Sequence, residues 1–346
     1  LGRKTLGSVY DDWLRLDAPI LAPATLLSYQ SSWRAHIEPE LGERFLSELV
    51  TEPQLFDEFI ATMRDGEVGA AAQRKAFIVL SALLSAAVSR NQIAANPSWR
   101  RKKRLPPLSR RHSRPLAPIT IERLRHEIRK RQVKRGSSRA TGDALLVSLM
   151  AYAGLRPGEA LALNFGDLTT VVRVDKSASF GEERDSKTAK RTCPLIAPLV
   201  ADIVEWRSVQ GDPADTARVF GDRDGELWSL SAWNNWRSRV WKPALATVAG
   251  DDPELAALLA ARPYDLRGSC VSLRLRAGEP PLEIARTTGH SPAVMFNHYA
   301  GVIEELRGQT VLSAEEQVLR ARQLVSEATT SELDKLVGET LKSPDK

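Results

Sequence analysis

A basic, proline-containing stretch at residues 98–118 constrains this chain most, because it divides two blocks of helical apolar periodicity. Arg100, Arg101, Lys102, Lys103 and Arg104 run together, Pro106 and Pro107 follow, and Arg110, Arg111 and Arg114 complete it. Each flanking block must therefore bury its own core. The 346 residues suffice for two, since single cores stop growing near ~250–300 residues. An apolar share of 42% and a charged share of 27% are those of a globular protein. The net charge of +6 is uneven. Residues 303–346 hold nine acids against six bases, which leaves +9 on residues 1–302. A basic body with a mildly acidic tail suits a polyanionic partner.

The block before the divide reads as four or five helices. Leu6, Val9, Tyr10, Trp13 and Leu14 form one helical stripe. A second helix opens at Pro23 and closes at Pro39 and Gly42, a third spans about 52–64, and an apolar fourth spans about 70–90. Ala76 to Val88 is too short for a bilayer, which needs ~20 residues, and reads as a buried core helix. The block after the divide reads as helices near 120–128, 140–153 and just after Pro157, then a strand at 170–174. Residues 175–190 read as a hairpin turn returning through 191–195. Helices recur at 199–209, 229–248, 253–261, 266–276 and 282–288. Trp233, Trp236 and Trp241 stand at helical spacing and read as core. The tail carries two capping boxes, Ser313 with Glu316 and Ser331 with Asp334, each ahead of an amphipathic run. Its apolar stripe suits either a neighbouring subunit, the favoured reading, or its own domain.

Two cysteines, Cys193 and Cys270, make no disulfide framework and suit a reducing, cytoplasmic setting. The five histidines show no metal-ligand spacing, so no metal and no cofactor is expected. No targeting segment is visible in the given residues, which start at Leu1 rather than Met.

The chemistry is concentrated in the second block. Arg156 stands in Ala-Gly-Leu-Arg-Pro-Gly-Glu, Lys187 in Ser-Lys-Thr, Arg267 in Tyr-Asp-Leu-Arg, His290 in Thr-Gly-His and Tyr299 in Asn-His-Tyr-Ala. Arg267 and His290 are 23 residues apart, and His290 and Tyr299 nine. These motifs and spacings resemble the tyrosine recombinase (phage integrase) family. The resemblance extends over a helical core-binding domain at 1–97, a basic linker at 98–117, a catalytic domain at 118–302 and a helical tail at 303–346. It implies a mainly α protein with a small β-sheet in the catalytic domain.

The resemblance also implies roles. Arg156 and Arg267 would clamp the non-bridging oxygens of a phosphodiester, with His290 donating a third hydrogen bond. Lys187 would protonate the 5′-hydroxyl leaving group, and Tyr299 would attack phosphorus to form a 3′-phosphotyrosyl bond. Tyr264 stands where the family usually has histidine; a neutral phenol donates a hydrogen bond but is a poor base at pH 7. Glu159 is expected to hold the Arg156 guanidinium. Arg100, Arg101, Lys102, Lys103, Arg104, Arg110, Arg111, Lys190 and Arg191 are candidate DNA contacts, with a solvated linker the alternative for the basic run. The implied partners are double-stranded DNA, a homotetramer on it at the nucleoid, and accessory bending or directionality factors, with no membrane. A type IB topoisomerase and a non-catalytic DNA-binding protein on the same fold are the competing readings.

Overall fold

A computed structural model describes residues 4–99, 105–107, 115–134, 139–179, 181–185, 190–253, 255–296, 299 and 312–340, with the side chains of the last segment described to 329. Two compact units divide the chain, Leu1–Arg111 and His112–Lys346.

The first unit is helical. Helix α1, Leu6–Leu16, begins where the Thr5 hydroxyl accepts the Ser8 N–H at 3.2 Å. Helix α2, Pro23–Ser32, starts on a proline and runs through a wider turn, Trp33–Ile37, into Glu38–Leu41. A short α3, Leu46–Thr51, was not expected from periodicity; the Glu48 carboxylate caps its start by accepting the Phe45 N–H at 2.9 Å. Helices α4, Gln54–Asp65, and α5, Ala70–Ser89, complete the unit. By length and composition α5 is apolar enough to cross a membrane. Its Phe77, Leu80, Leu83 and Leu84 are instead buried against Val9, Trp33, Phe56 and Phe59, so it is the core helix that the sequence predicts. Tyr10 stacks on Trp33 with ring centroids 4.2 Å apart.

The dividing stretch is shorter than 98–117. Ser98 is buried and bonded to Asn96, whose amide donates to the Ser81 carbonyl at 2.9 Å. Leu105 joins the first core, and the Pro106 carbonyl accepts from Arg74 at 2.8 Å. On the far side the Leu116 N–H donates to Ser269 at 2.8 Å within the second unit. Arg100 to Arg104, Arg110 and Arg111 lie outside the described residues.

In the second unit α7, Ala140–Tyr152, is buried on every side, which its nearly continuous apolar sequence requires. Around it pack α6 (Pro118–Lys134), α9 (Ala197–Val209) and α12 (Asp265–Arg276). Helix α10, Leu230–Trp236, continues through Arg237–Trp241 into α11, Lys242–Ala249. Trp236 stacks between Trp233 and Trp241 at 5.2 and 6.1 Å. The indole N–H of Trp236 reaches Asp143 at 3.0 Å, and that of Trp241 the Ala261 carbonyl at 3.1 Å, so these rings are core with their polar edges satisfied. Strand β1, Val171–Val174, pairs antiparallel with β4, Arg191–Pro194. The intervening segment is not all turn: β2, Lys176–Ser179, and β3, Glu182–Asp185, form a second ladder, braced by Glu183 between Lys176 and Arg218.

The tail corrects two expectations. It is one helix, α14, Ala314–Thr340, in which the first capping box closes through Ser313 and Glu316 while Ser331 lies mid-helix. No glycine or proline stands between the two boxes to break it. Its first half packs on its own domain rather than offering a free stripe: Ala314 and Val318 are buried in the second core, and Ala321, about a turn further on, is buried as well. Arg322 meets Asp202 at 2.8 Å beside the buried Arg125, whose Nη2 meets the same carboxylate at 2.6 Å. Val318→Asp would put a carboxylate in the fully buried apolar position that Val318 fills. It should cost about 3–5 kcal/mol of the second unit's stability in urea unfolding, whereas a tail held only by other subunits would leave the monomer's midpoint unmoved.

Candidate active site

The site starts at the C-terminus of α7. Gly154 has φ of 67°, and a Cβ on it would lie 3.0 Å from both Cys270 Sγ and Thr288 Cγ2, so only glycine fits. That turn sets Arg156 in extended backbone immediately before α8, Pro157–Leu161, and leaves the Gly154 carbonyl pointing at Arg267. Gly158 tolerates the close approach of β2, since a Cβ there would meet the Ala178 carbonyl at 2.5 Å. The glycine motif therefore docks the hairpin against the Arg156 helix.

Glu159 is the hub. Its buried carboxylate accepts the Arg156 N–H at 2.8 Å and Arg156 Nη1 at 2.8 Å. It takes both ends of the Arg191 guanidinium at 3.0 and 2.6 Å and lies 3.7 Å from Arg267 Nη1. Burial pushes its pKa up, but the hydrogen bonds and charge of Arg191, with those of Arg156, overcome this and hold it at about 2. The expectation that Glu159 holds Arg156 is met by these contacts; that it also holds Arg191 was missed.

Arg191 was a candidate DNA contact, and the structure corrects this. It is buried, forked onto Glu159, and donates from Nε to the Thr287 carbonyl at 2.9 Å. The signal was present in the sequence: in β4 Arg191 and Cys193 face inward while Thr192 and Pro194 face outward. Lys190 lies on an open groove of about 630 Å³ that Arg173, Arg286 and His290 also line.

Arg267, in α12, is 1% exposed. Its Nη1 donates to the Gly154 carbonyl at 2.6 Å, its Nη2 to the Thr288 carbonyl, and its Nε to His290 Nε2 at 3.3 Å. Burial first and the neighbouring Arg156 second lower its pKa to about 10, so it stays charged at neutral pH. Asp265 anchors the start of α12 by accepting the Arg262 N–H at 2.8 Å and its Nη2 at 3.0 Å. Arg156 Nη2 reaches the Gly289 carbonyl at 3.1 Å, which draws the His290 loop to the same cluster.

Tyr299 is 6% exposed among Val271, Leu275, Ile284, Ala285 and Met295. Burial pushes its phenol up to about 12 although Arg267 pulls the other way. Burial outweighs that pull, so the phenol is protonated in this state. Tyr264 is half-exposed where α12 begins, close enough to act electrostatically on Arg267 and Tyr299. Lys187 lies outside the described residues. Among the described residues no group of metal-ligating side chains is present.

The structure thus brings Arg156, Arg267 and His290 together, with three guanidiniums facing one carboxylate. Three guanidiniums against one carboxylate leave the cluster with net positive charge, and the fold around it is similar to that of integrases of known structure. Among solved structures it is similar to the Tn1549 transposon integrase in complex with transposon right-end DNA. That match has a TM-score of 0.67 and 17% identity, over 86% of this chain and 95% of that one. It is also similar to a lambda integrase dimer bound to a COC′ core site, with a TM-score of 0.59 and 17% identity over 90% and 80%. A lambda integrase tetramer bound to a Holliday junction matches at a TM-score of 0.57 and 17% identity over 89% and 80%. No family model matches the sequence, and no curated protein does.

The Glu159 carboxyl sits below its ordinary value of 4.5, so the charge cluster stabilises the fold fully above about pH 4.5. That contribution is lost as pH falls from there toward 2. Glu159→Gln should lower stability at neutral pH by about 3 kcal/mol and flatten this acid limb, read from urea unfolding at a series of pH values. An unchanged limb would contradict the cluster.

Proposed function

We propose that this chain is a site-specific DNA recombinase of integrase type that cuts and rejoins DNA through a 3′-phosphotyrosyl intermediate. The observation that carries the reading is the convergence of Arg156, Arg267 and His290 on one buried cluster, within electrostatic reach of Tyr299. The two arginines clamp the non-bridging oxygens of the scissile phosphate, where charge accumulates in the pentacoordinate transition state. Tyr299 attacks phosphorus, and Lys187 protonates the departing 5′-oxygen. The phosphotyrosyl bond stores the energy of the broken one, so neither ATP nor a metal is needed. Lys190 and the basic residues Arg100–Arg104, Arg110 and Arg111 hold the DNA backbone.

The neighbours bound to core-site DNA and to a Holliday junction support duplex DNA as substrate and a homotetramer that exchanges strands in two pairs. The enzyme then acts inside the cell at the nucleoid, with bending or directionality factors as further partners. A buried, protonated Tyr299 fits an enzyme that stays silent until a phosphate enters and reorganises the cluster.

Covalent capture tests this reading. Incubated with fragmented genomic DNA and then denatured, the protein should remain attached to strands through a 3′-phosphate, and Tyr299→Phe should abolish the attachment. Tight binding with no Tyr299-dependent adduct, even on nicked substrates that trap the intermediate, would instead establish a binding protein on this fold.

A further inference from the structure

Thr288 and His290 share a contact that fixes the place of one proton. Thr288 is fully buried in the last turn of α13, Pro281–Thr288. Its hydroxyl lies 2.5 Å from the Ile284 carbonyl oxygen one turn back. A carbonyl only accepts, so the hydroxyl's single hydrogen is committed there. Gly289 then ends the helix in the left-handed region, and the His290 N–H returns to the Ala285 carbonyl at 2.9 Å. This reversal folds the imidazole back until Nδ1 stands 3.0 Å from the Thr288 oxygen. With its hydrogen committed, that oxygen can only accept from the ring, so Nδ1 carries the hydrogen.

The other ring nitrogen gives the same answer independently. Arg267 Nε donates to His290 Nε2 at 3.3 Å, and a guanidinium has no acceptor. The opposite tautomer would leave two oxygens 2.5 Å apart with no hydrogen between them. It would also aim two N–H groups at each other. Both contacts reject it.

We propose that Thr288 is a positioning residue that locks His290 in the Nδ1–H tautomer, so that the imidazole meets the scissile phosphate with a bare Nε2. The tautomer rests on the two hydrogen bonds, and its catalytic consequence rests on the recombinase reading above. A bare Nε2 cannot donate to a phosphate oxygen; it must first accept a proton. The reaction releases one. As the Tyr299 oxygen bonds to phosphorus and the 5′-oxygen leaves with a proton from Lys187, Arg267 Nε turns its hydrogen from the ring to a phosphate oxygen, and the phenolic proton of Tyr299 passes to the Nε2 lone pair this frees. The resulting imidazolium then donates to a non-bridging oxygen. His290 thereby fills the base role that Tyr264, a phenol, serves poorly.

Selective ¹⁵N-histidine labelling tests the lock in the full-length protein without DNA. The chain has five histidines, and His290→Gln identifies the ring signals of residue 290. The coupling of the ring protons to each nitrogen then tells which one is bare. The wild type should show hydrogen on Nδ1, Thr288→Ser should keep it there, and Thr288→Val should lose the preference. On nicked DNA, Thr288→Val should slow Tyr299 cleavage roughly 10–100-fold with DNA affinity unchanged, and Thr288→Ser should restore the rate. A wild-type ring protonated at Nε2, or a Thr288→Val spectrum identical to wild type, overturns the proposal. A Thr288→Val cleavage rate equal to wild type overturns its catalytic part. If Thr288→Val fails to fold, the wild-type and Thr288→Ser spectra still decide. A protein that never cuts DNA would sink the recombinase reading while leaving the tautomer readable.

Discussion

One buried carboxylate organises the second unit of this protein. Glu159 accepts from Arg156 and Arg191 and faces Arg267, and through them it fixes three separate elements. Arg156 leads the short helix after Gly154, Arg191 sits on the returning strand of the hairpin, and Arg267 rises from α12. None of these elements adjoins another in sequence. Removing one partner of a buried, hydrogen-bonded pair costs about 3–5 kcal/mol, because the remaining charge stays out of water. Three cations on one anion make a scaffold with net positive charge. The single carboxylate holds the guanidiniums in register.

That balance links binding to chemistry. Arg267 spends donors on the Gly154 and Thr288 carbonyls and on His290, which sets its direction before any ligand arrives. Tyr299 is packed among aliphatic side chains with its phenol raised by burial. The nucleophile proposed above is thus held in its protonated form. A phosphate drawn to the arginines would bring the electrophile and change the field around Tyr299 in one event.

Much of this was legible in the sequence. The apolar stripes located nearly every long helix, because helical periodicity in a buried helix follows directly from packing. The motif spacings named Arg156, Arg267, His290 and Tyr299 without reference to any fold. What stayed hidden was held by contacts between distant segments. The side chain of Arg191 reads as a DNA contact in a basic hairpin; strand alternation with Cys193 hints at an inward face, but the partner that makes burial tolerable, Glu159, lies 32 residues earlier. Periodicity could not show that the stripe of Val318 and Ala321 would find its partner within its own domain. Thr288 is invisible for the same reason: its effect depends on a helix end that folds His290 back over it. The short α3 and the inner ladder of β2 and β3 depend on local caps and ion pairs too brief for periodic signals.

On this geometry Glu159 and Arg191 act as one unit in setting Arg156 for the proposed chemistry. A double-mutant cycle read in the rate of covalent Tyr299–DNA adduct formation tests it most directly, using Glu159→Gln, Arg191→Lys and the pair. If the two act together, the double variant should be little slower than the worse single one, a coupling of about 1–3 kcal/mol. Independent losses that simply add would show that Arg191 serves elsewhere, and the carboxylate would no longer be the hub of the site.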